Sequence, residues 1–213
     1  MKAFIIKKIT RFKLESILAI WIPILIATLF WNKIPNRLPT HFNSQMIADN
    51  WNSKPVALIT LPIILTIVQL FLIIIVSRDP KNENIQPWIQ KTVFSIMPVL
   101  SAVILLLTVF GSFPSVLQAN YVNLILGIIF IILGITLGKV QSNYTIGIRI
   151  PWTLHSKQNW NMTHKFGEKI YIVGGIIIII ASFISIKLIF IPTILVIVLA
   201  PCIYSYLLHK KGI

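Results

Sequence analysis

The side chains best suited to chemistry in this chain are concentrated between residues 143 and 169. His155 and His164 lie nine positions apart, a spacing that matches no metal-binding motif. Glu168 is the only acid nearby, so a general acid–base pair has little support. No Ser-His-Asp or Cys-His arrangement can be assembled. We therefore predict a protein without catalytic residues, metal or cofactor, which is not an enzyme.

A second polar segment, residues 32–55, contains His41, Asp49 and Trp51. A metal site would require more ligands than one histidine and one carboxylate. Prolines and asparagines interrupt the segment, which predicts an irregular polar loop. Two interpretations stay open: a hydrogen-bonded cap with Trp51 at the lipid headgroups, or a surface that meets an external peptide.

The remaining sequence is typical of an integral membrane protein. Hydrophobic residues make up 56% of the chain, charged residues 11%, and the mean hydropathy is +0.87, whereas soluble domains carry roughly 25% charged residues. The formal net charge is +14. Because the basic residues lie in connectors beside apolar runs, positive-inside topology and anionic lipids explain them better than direct nucleic-acid binding.

Apolar runs predict six membrane spans. Residues 92–138 contain no charge, and as one helix they would extend roughly 70 Å, more than twice the ~30 Å hydrocarbon core. They must therefore fold back, with Gly111, Pro114 and Asn120 marking the turn. Residues 170–208 divide near Lys187 and Pro192 by the same argument. The spans are expected near 16–31, 56–76, 92–111, 121–138, 170–186 and 191–208.

Lysine and arginine counts predict the orientation. With the N-terminus inside, the inner segments hold 15 of these residues and the outer loops hold 4. The predicted fold is therefore an all-α, six-helix transmembrane bundle with both termini cytoplasmic. Residues 1–76 would form a two-span unit whose outer loop carries His41. Residues 77–213 would form a four-span unit with a cytoplasmic motif loop at 143–169.

Features inside the spans predict packing rather than ion transport. The predicted spans contain four prolines that are expected to kink their helices: Pro23, Pro62, Pro98 and Pro201. Gly134 and Gly138 have the spacing that lets helices approach closely. The span interiors hold almost no ionisable group, and Gln69 is the most polar side chain within them. This argues against proton- or sodium-driven transport and leaves open a passive transporter, a lipid-handling role or a membrane enzyme.

Arg149, between Gly147 and Pro151, prompts a structural hypothesis. Neither helix nor strand runs regularly through this segment, so carbonyls would be left unpaired near the membrane. We expect a buried guanidinium to hold several of them, a geometry that lysine cannot copy. For Trp152, Trp160 and the nearby lysines, the simpler interpretation is a segment lying along the inner leaflet, in contact with anionic lipids.

These residues resemble the signature of the SdpI family of bacterial membrane immunity proteins. The resemblance rests on an inner motif and on an outer loop, which is similar to a small domain of unknown function that often precedes the signature. The inner motif comprises Asn143, Gly147, Arg149, Pro151, Trp152, Thr153, Leu154, Trp160, Thr163, His164, Gly167 and Gly174. The outer motif comprises Leu38, Pro39, Thr40, His41, Phe42, Asn43, Asp49, Trp51, Ser53 and Lys54.

The resemblance implies a protein of the bacterial plasma membrane that gives immunity to a secreted peptide toxin. For some members it also implies a receptor that holds a transcriptional repressor at the membrane. The implied toxin-facing residues are Pro39, His41, Phe42, Asn43, Asp49 and Trp51. The implied inner-motif site comprises Asn143, Gly147, Arg149, Pro151, Trp152, Thr153, Trp160, His164 and Gly167.

Overall fold

The computed structural model describes residues 2–43, 48–110, 118–184 and 189–213. The described chain consists of helices and one β-hairpin. The elements are α1 (Lys2–Leu29), β1 (Arg37–Phe42), β2 (Ala48–Ser53), α2 (Lys54–Ser77), α3 (Pro87–Phe110), α4 (Gln118–Leu137), α5 (Pro151–His155), α6 (Lys157–Ile184) and α7 (Phe190–Lys210). Short 3-10 turns occur at Trp31–Lys33 and Asn82–Asn84.

Five of these helices, α1, α2, α3, α6 and α7, are long and apolar enough to cross a membrane. Within the described residues, α4 contributes a shorter apolar stretch, Asn123–Leu137. The chain is therefore a helical membrane protein. The six-span count and the cytoplasmic position of both termini stay predictions.

The chain forms two compact units, Met1–Ile75 with Gln90–Gln118 and Val76–Ile89 with Ala119–Ile213. Most of α3 thus packs with α1 and α2, although the sequence-based division after residue 76 grouped α3 with the C-terminal helices. That division into a two-span and a four-span unit stays a prediction.

Polar side chains cross-link the apolar helices of the first unit. Gln69, fully buried in α2, donates from Nε2 to Ser16 Oγ at 2.7 Å and to the Phe94 carbonyl at 3.0 Å. Ser101 Oγ donates to the Ile20 carbonyl at 2.7 Å. In a medium without water such bonds satisfy groups that would otherwise be costly to bury, so they fix how α1, α2 and α3 face one another.

The β-hairpin corrects the prediction of an irregular loop at residues 32–55 and adds two short strands to an otherwise helical fold. β1 and β2 pair antiparallel, with Pro39 opposite Trp51 and register irregularities on both sides of His41. Leu38 is fully buried in a cluster with Ile24 and Leu58. A two-stranded hairpin is marginally stable alone, so this anchoring against α1 and α2 accounts for its regular structure.

Lys54 fixes the base of the hairpin where β2 passes into α2. The residue is 6% exposed. Its ammonium donates to the carbonyls of Trp31 and Ile34, both at 2.9 Å, and lies 4.7 Å from the Trp31 ring centroid. Burial of an ammonium is costly unless its donors are satisfied, and here two carbonyls of the 3-10 turn that follows α1 and of its C-cap accept from it.

Glycines bring α4 and α6 into close contact in the second unit. A Cβ at Gly127 would lie 2.7 Å from the Gly175 carbonyl, and one at Gly134 would lie 3.0 Å from the Glu168 carbonyl. A Cβ at Gly138 would overlap the Glu168 side chain. The predicted close approach at Gly134 and Gly138 is therefore confirmed.

The start of α6 differs most from the sequence-based boundaries. The helix begins at Lys157 rather than near residue 170, so residues 157–169 are helical and do not belong to the predicted loop. Asn120, a predicted turn marker, lies inside α4. Gly111, Pro114 and Lys187 lie outside the described residues. The four prolines at 23, 62, 98 and 201 all lie within helices, as expected.

Candidate functional site

The inner motif folds into what we call the motif segment, residues 139–167. It comprises the connector after α4, the five-residue helix α5 and the first three turns of α6. The connector has no regular secondary structure, so its main-chain groups must find other partners. Most of the motif side chains supply them.

Asn143 organises the first turn of the connector. Its side chain is 1% exposed. Its Oδ1 accepts from the main-chain N–H groups of Thr145 and Ile146, at 2.8 and 2.6 Å. Its Nδ2 donates to the carbonyls of Gln141 and Ile146, at 2.8 and 3.0 Å. An aspartate at this position would lack the two donors, so the turn specifically requires an amide.

Asp79, in the connector between α2 and α3, holds the same turn from the other side. The carboxylate is 7% exposed. Its Oδ2 accepts from the Tyr144 N–H at 2.9 Å and from Thr145 Oγ1 at 2.5 Å, while Oδ1 accepts from the Lys81 N–H at 2.7 Å. Lys81 Nζ lies 4.8 Å from the Tyr144 ring centroid. This arrangement joins two connectors that are 65 residues apart.

His164 binds the next part of the connector through a main-chain hydrogen bond. Its Nε2 accepts from the Ile148 N–H at 3.0 Å, so Nδ1 carries the hydrogen and donates to the Trp160 carbonyl at 2.8 Å. The imidazole therefore has a single neutral tautomer in this arrangement. It stacks on Trp160 with ring centroids 4.0 Å apart, and Trp160 Nε1 donates to the Val140 carbonyl at 2.9 Å.

Gly147 allows the connector to pass this histidine. Its φ is +120°, a region that L side chains rarely adopt. A Cβ at this position would overlap His164 Nε2 and lie 3.2 Å from the outer edge of the Trp160 ring. The position requires glycine for both reasons, conformation and space.

Thr153 and Pro151 shape the start of α5. Pro151 occupies the first helical position, where its missing N–H costs nothing. Thr153 is fully buried. Its hydroxyl accepts from the Ile150 N–H at 3.1 Å and lies 2.8 and 2.9 Å from the carbonyls of Ile148 and Ile150. One side chain thus satisfies main-chain groups of the extended residues that precede the helix.

A buried polar cluster joins α6 to α7. Asn159 is fully buried and donates to the Ser205 carbonyl at 3.0 Å. Its Oδ1 accepts from Ser205 Oγ at 2.6 Å and from Thr163 Oγ1 at 3.0 Å.

Gly167 lets α6 pack tightly against the end of α4 and the connector. A Cβ at this position would lie 2.8 Å from Leu137 and 3.1 Å from Ile148.

Arg149 and Trp160 correct two predictions. The Arg149 side chain is exposed rather than buried, and in the described structure it bonds one carbonyl, that of Tyr144, at 2.6 Å. Trp160 is fully buried, so it does not lie along a leaflet surface. Trp152 is half-buried, with its ring centroid 5.1 Å from that of Tyr206.

The hairpin presents the second set of predicted residues. His41 Nδ1 and Asp49 Oδ1 are hydrogen-bonded at 2.5 Å across the strands, with side chains 66% and 44% exposed. Trp51 is 38% exposed. Pro39 is buried and Asn43 is half-buried, while the Phe42 side chain lies outside the described residues. This surface combines an aromatic ring with a histidine–carboxylate pair.

The structure gathers eight of the nine inner-motif residues around the connector's main chain and leaves Trp152 against α7. Among the described residues, no group of three or more His, Cys, Asp or Glu side chains could hold a metal. Sequence reasoning missed Asp79, Asn159 and Ser205. Asp79 is one of only five acidic residues in the chain. Its position directly after a predicted span was the sequence feature that could have marked it as a structural residue.

Comparison with known proteins gives separate family matches for the part of the chain with the inner motif and for the part with the hairpin. The SdpI/YfhL protein family model matches residues 139–205, and the model of a domain of unknown function, DUF1648, matches residues 18–66. The chain is 26% identical over 200 residues to "Immunity protein SdpI" of Bacillus subtilis (strain 168), which covers 92% of this chain and 95% of the relative. No solved structure matches the chain.

Proposed function

Since the chain carries an SdpI/YfhL family domain preceded by a DUF1648 domain, we propose that it is an immunity protein of the bacterial plasma membrane. It protects the cell against a secreted peptide toxin by binding rather than by turnover. The observation that carries this proposal is the similarity to an immunity protein along nearly the whole length of both chains.

The hairpin is the toxin-recognition surface in this proposal. The His41, Asp49 and Trp51 side chains are exposed, whereas the base of the hairpin is anchored by Leu38 and Lys54. An anchored base with an exposed aromatic ring is a common arrangement for recognition. In the predicted topology, with 15 basic residues inside and 4 outside, the hairpin faces the exterior, where a secreted toxin arrives.

Reporter fusions test the topology independently of immunity. A periplasmic-type or extracellular reporter inserted at residue 45 is expected to be active, and the same reporter after residue 213 is expected to be inactive. A C-terminal fusion that is active only outside the cytoplasm would contradict the six-span arrangement with both termini inside.

Expression in a toxin-sensitive strain tests the function. We expect survival in the presence of the toxin while the amount of intact toxin in the medium stays constant. Survival accompanied by chemical degradation of the toxin would favour the alternative, a membrane enzyme. Survival with toxin accumulating inside the cell would favour a transporter. Absence of protection against any toxin of this type would refute the immunity role.

The proposal extends to a signalling role in which the inner face retains a transcriptional repressor. The exposed basic side chains of the motif segment, Arg149, Lys157 and Lys165, support it as a docking face. Fractionation of cells with a tagged repressor gives the test. We expect toxin to move the repressor to the membrane fraction only when this protein is present, and an unchanged distribution would remove the signalling role while leaving immunity intact.

A further inference from the structure

We propose that the open cavity between α5, Ser156 and the end of α7 with the residues that follow it binds the phosphate headgroup of an anionic phospholipid. The cavity has a volume of about 410 Å³ and is lined by Pro151, Trp152, His155, Ser156, His209, Gly212 and Ile213. This is within the size range of small-molecule sites. The proposal does not depend on the immunity function.

Hydrogen-bond donors line this cavity and lack protein partners. In the described structure, neither the Trp152 indole N–H nor the His209 ring is hydrogen-bonded to protein. The centroids of these two rings lie 6.0 Å apart. Ser156 Oγ already accepts from the Asn159 N–H at 3.1 Å, so its own hydrogen is free to be donated outward. An indole, a hydroxyl and an imidazole N–H together suit the oxygens of a phosphate.

The electrostatics of the cavity favour an anion. The segments that build it, residues 151–157 and 205–213, contain no Asp or Glu and include Lys157, Lys210 and Lys211. All three lysines are exposed beside the lining residues. Basic residues of this kind are each worth about 1 kcal/mol of attraction near an anionic membrane surface.

The position and walls of the cavity favour a lipid over a soluble phosphate. It lies where two candidate membrane-spanning helices, α6 and α7, have their polar ends. Pro151, Trp152 and Ile213 give it apolar walls, which suit the glycerol and upper acyl carbons of a lipid. Tryptophan is enriched at both membrane–water interfaces, where lipid headgroups lie.

Native mass spectrometry of the full chain in detergent tests the proposal. Phosphatidylglycerol and phosphatidylcholine with identical acyl chains serve as the probes. We expect the wild-type protein to retain phosphatidylglycerol preferentially. The double variant Trp152→Phe/His209→Gln keeps the aromatic contact with Tyr206 but removes two donors, and it should bind phosphatidylglycerol about tenfold more weakly, as expected for lost hydrogen bonds to a charged group.

The matched control is Trp51→Phe/His41→Gln, which makes the same two chemical changes in the hairpin and should bind like the wild type. A second double variant, Lys210→Gln/Lys211→Gln, changes only exposed positions and can be measured if the first double variant is unstable. It should weaken the binding of phosphatidylglycerol about tenfold or more. Equal retention of the two lipids, or unchanged affinity in both cavity variants, would overturn the proposal. Displacement of the lipid by equimolar sn-glycerol 1-phosphate would also overturn it, because the site would then belong to a soluble phosphate.

Discussion

The hairpin and the motif segment both carry family-signature residues, but they use them in opposite ways. In the hairpin, the His41–Asp49 pair is 66% and 44% exposed and spans only the two strands. In the motif segment, Asn143, Thr153 and His164 are at most 2% exposed, and their polar atoms bond main-chain groups of the connector between α4 and α5. A signature residue can therefore mark a surface in one region and an internal scaffold in another.

The difference separates two kinds of expected phenotype. Changes to the exposed strand residues of the hairpin should alter recognition while the protein still accumulates in the membrane. Changes in the motif segment should lower stability first, and lose function as a consequence. Measuring both the midpoint of thermal unfolding in detergent and survival under toxin distinguishes these outcomes for each variant below.

Gly147→Ala is expected to have the largest effect. The added methyl group must adopt φ near +120° and occupy the space of His164 Nε2, so we expect a loss of at least about 3 kcal/mol from backbone strain and steric overlap together. The midpoint of thermal unfolding should fall sharply and little protein should reach the membrane. Gly212→Ala is the control, since its φ is +81° but no atom lies within 4 Å. Equal effects of the two changes would show that the contact with His164 contributes nothing.

Asp79→Asn should rank second. The amide retains an acceptor oxygen but loses the charge that receives the Tyr144, Thr145 and Lys81 donors, for an expected cost of about 2 kcal/mol. Asp49→Asn in the hairpin makes the same chemical change at an exposed ion pair, which should cost about 0.5 kcal/mol or less. If both variants unfold at the wild-type midpoint, Asp79 does not support the connector.

Trp160→Phe and Trp51→Phe compare the two regions with one substitution. At Trp160 the change removes the hydrogen bond to the Val140 carbonyl, which should cost about 1 kcal/mol and lower the unfolding midpoint. At Trp51, 38% exposed, the midpoint should stay unchanged while survival under toxin decreases. A stable, fully protective Trp51→Phe variant would argue that the hairpin does not contact the toxin through this ring.

Among the changes to inner-motif residues, Arg149→Lys should have the smallest effect. Since the guanidinium is exposed and makes one hydrogen bond, to the Tyr144 carbonyl, an ammonium can retain most of it, and the loss should stay below about 1 kcal/mol. Lys157→Ala and Lys165→Ala serve as comparisons and should be milder still. A severe defect in Arg149→Lys, in abundance or in survival, would restore the sequence-based hypothesis that lysine cannot replace this guanidinium.

Apolar length predicted the bounds of a helix well where the helix is apolar along its whole length. The second predicted span, residues 56–76, agrees with α2 at Lys54–Ser77 within two residues. The same criterion placed the start of α6 thirteen residues too late. Residues 157–169 are polar in composition, yet they are helical because Asn159 and Thr163 bond one another and α7. A hydropathy profile cannot detect a polar helix whose side chains are satisfied by hydrogen bonds to distant parts of the chain.

The hairpin and Asp79 escaped prediction for a related reason. Strand pairing depends on Leu38 reaching a core formed by α1 and α2, and nothing local in a segment with two prolines indicates that contact. The link between Asp79 and Tyr144 spans 65 residues, so no spacing rule detects it. The inner motif itself was found from its residue types, since glycine, proline and tryptophan in an otherwise apolar chain indicate a connector with special backbone requirements.

The glycine contact between α4 and α6 limits how this protein can move. Gly127 and Gly175 approach so closely that a Cβ on either residue would lie within 2.7 Å of the other's carbonyl oxygen. At these two positions backbone lies against backbone, so the contact cannot adjust by a change of rotamer. We therefore expect a shift of α6 along its axis to displace α4 with it.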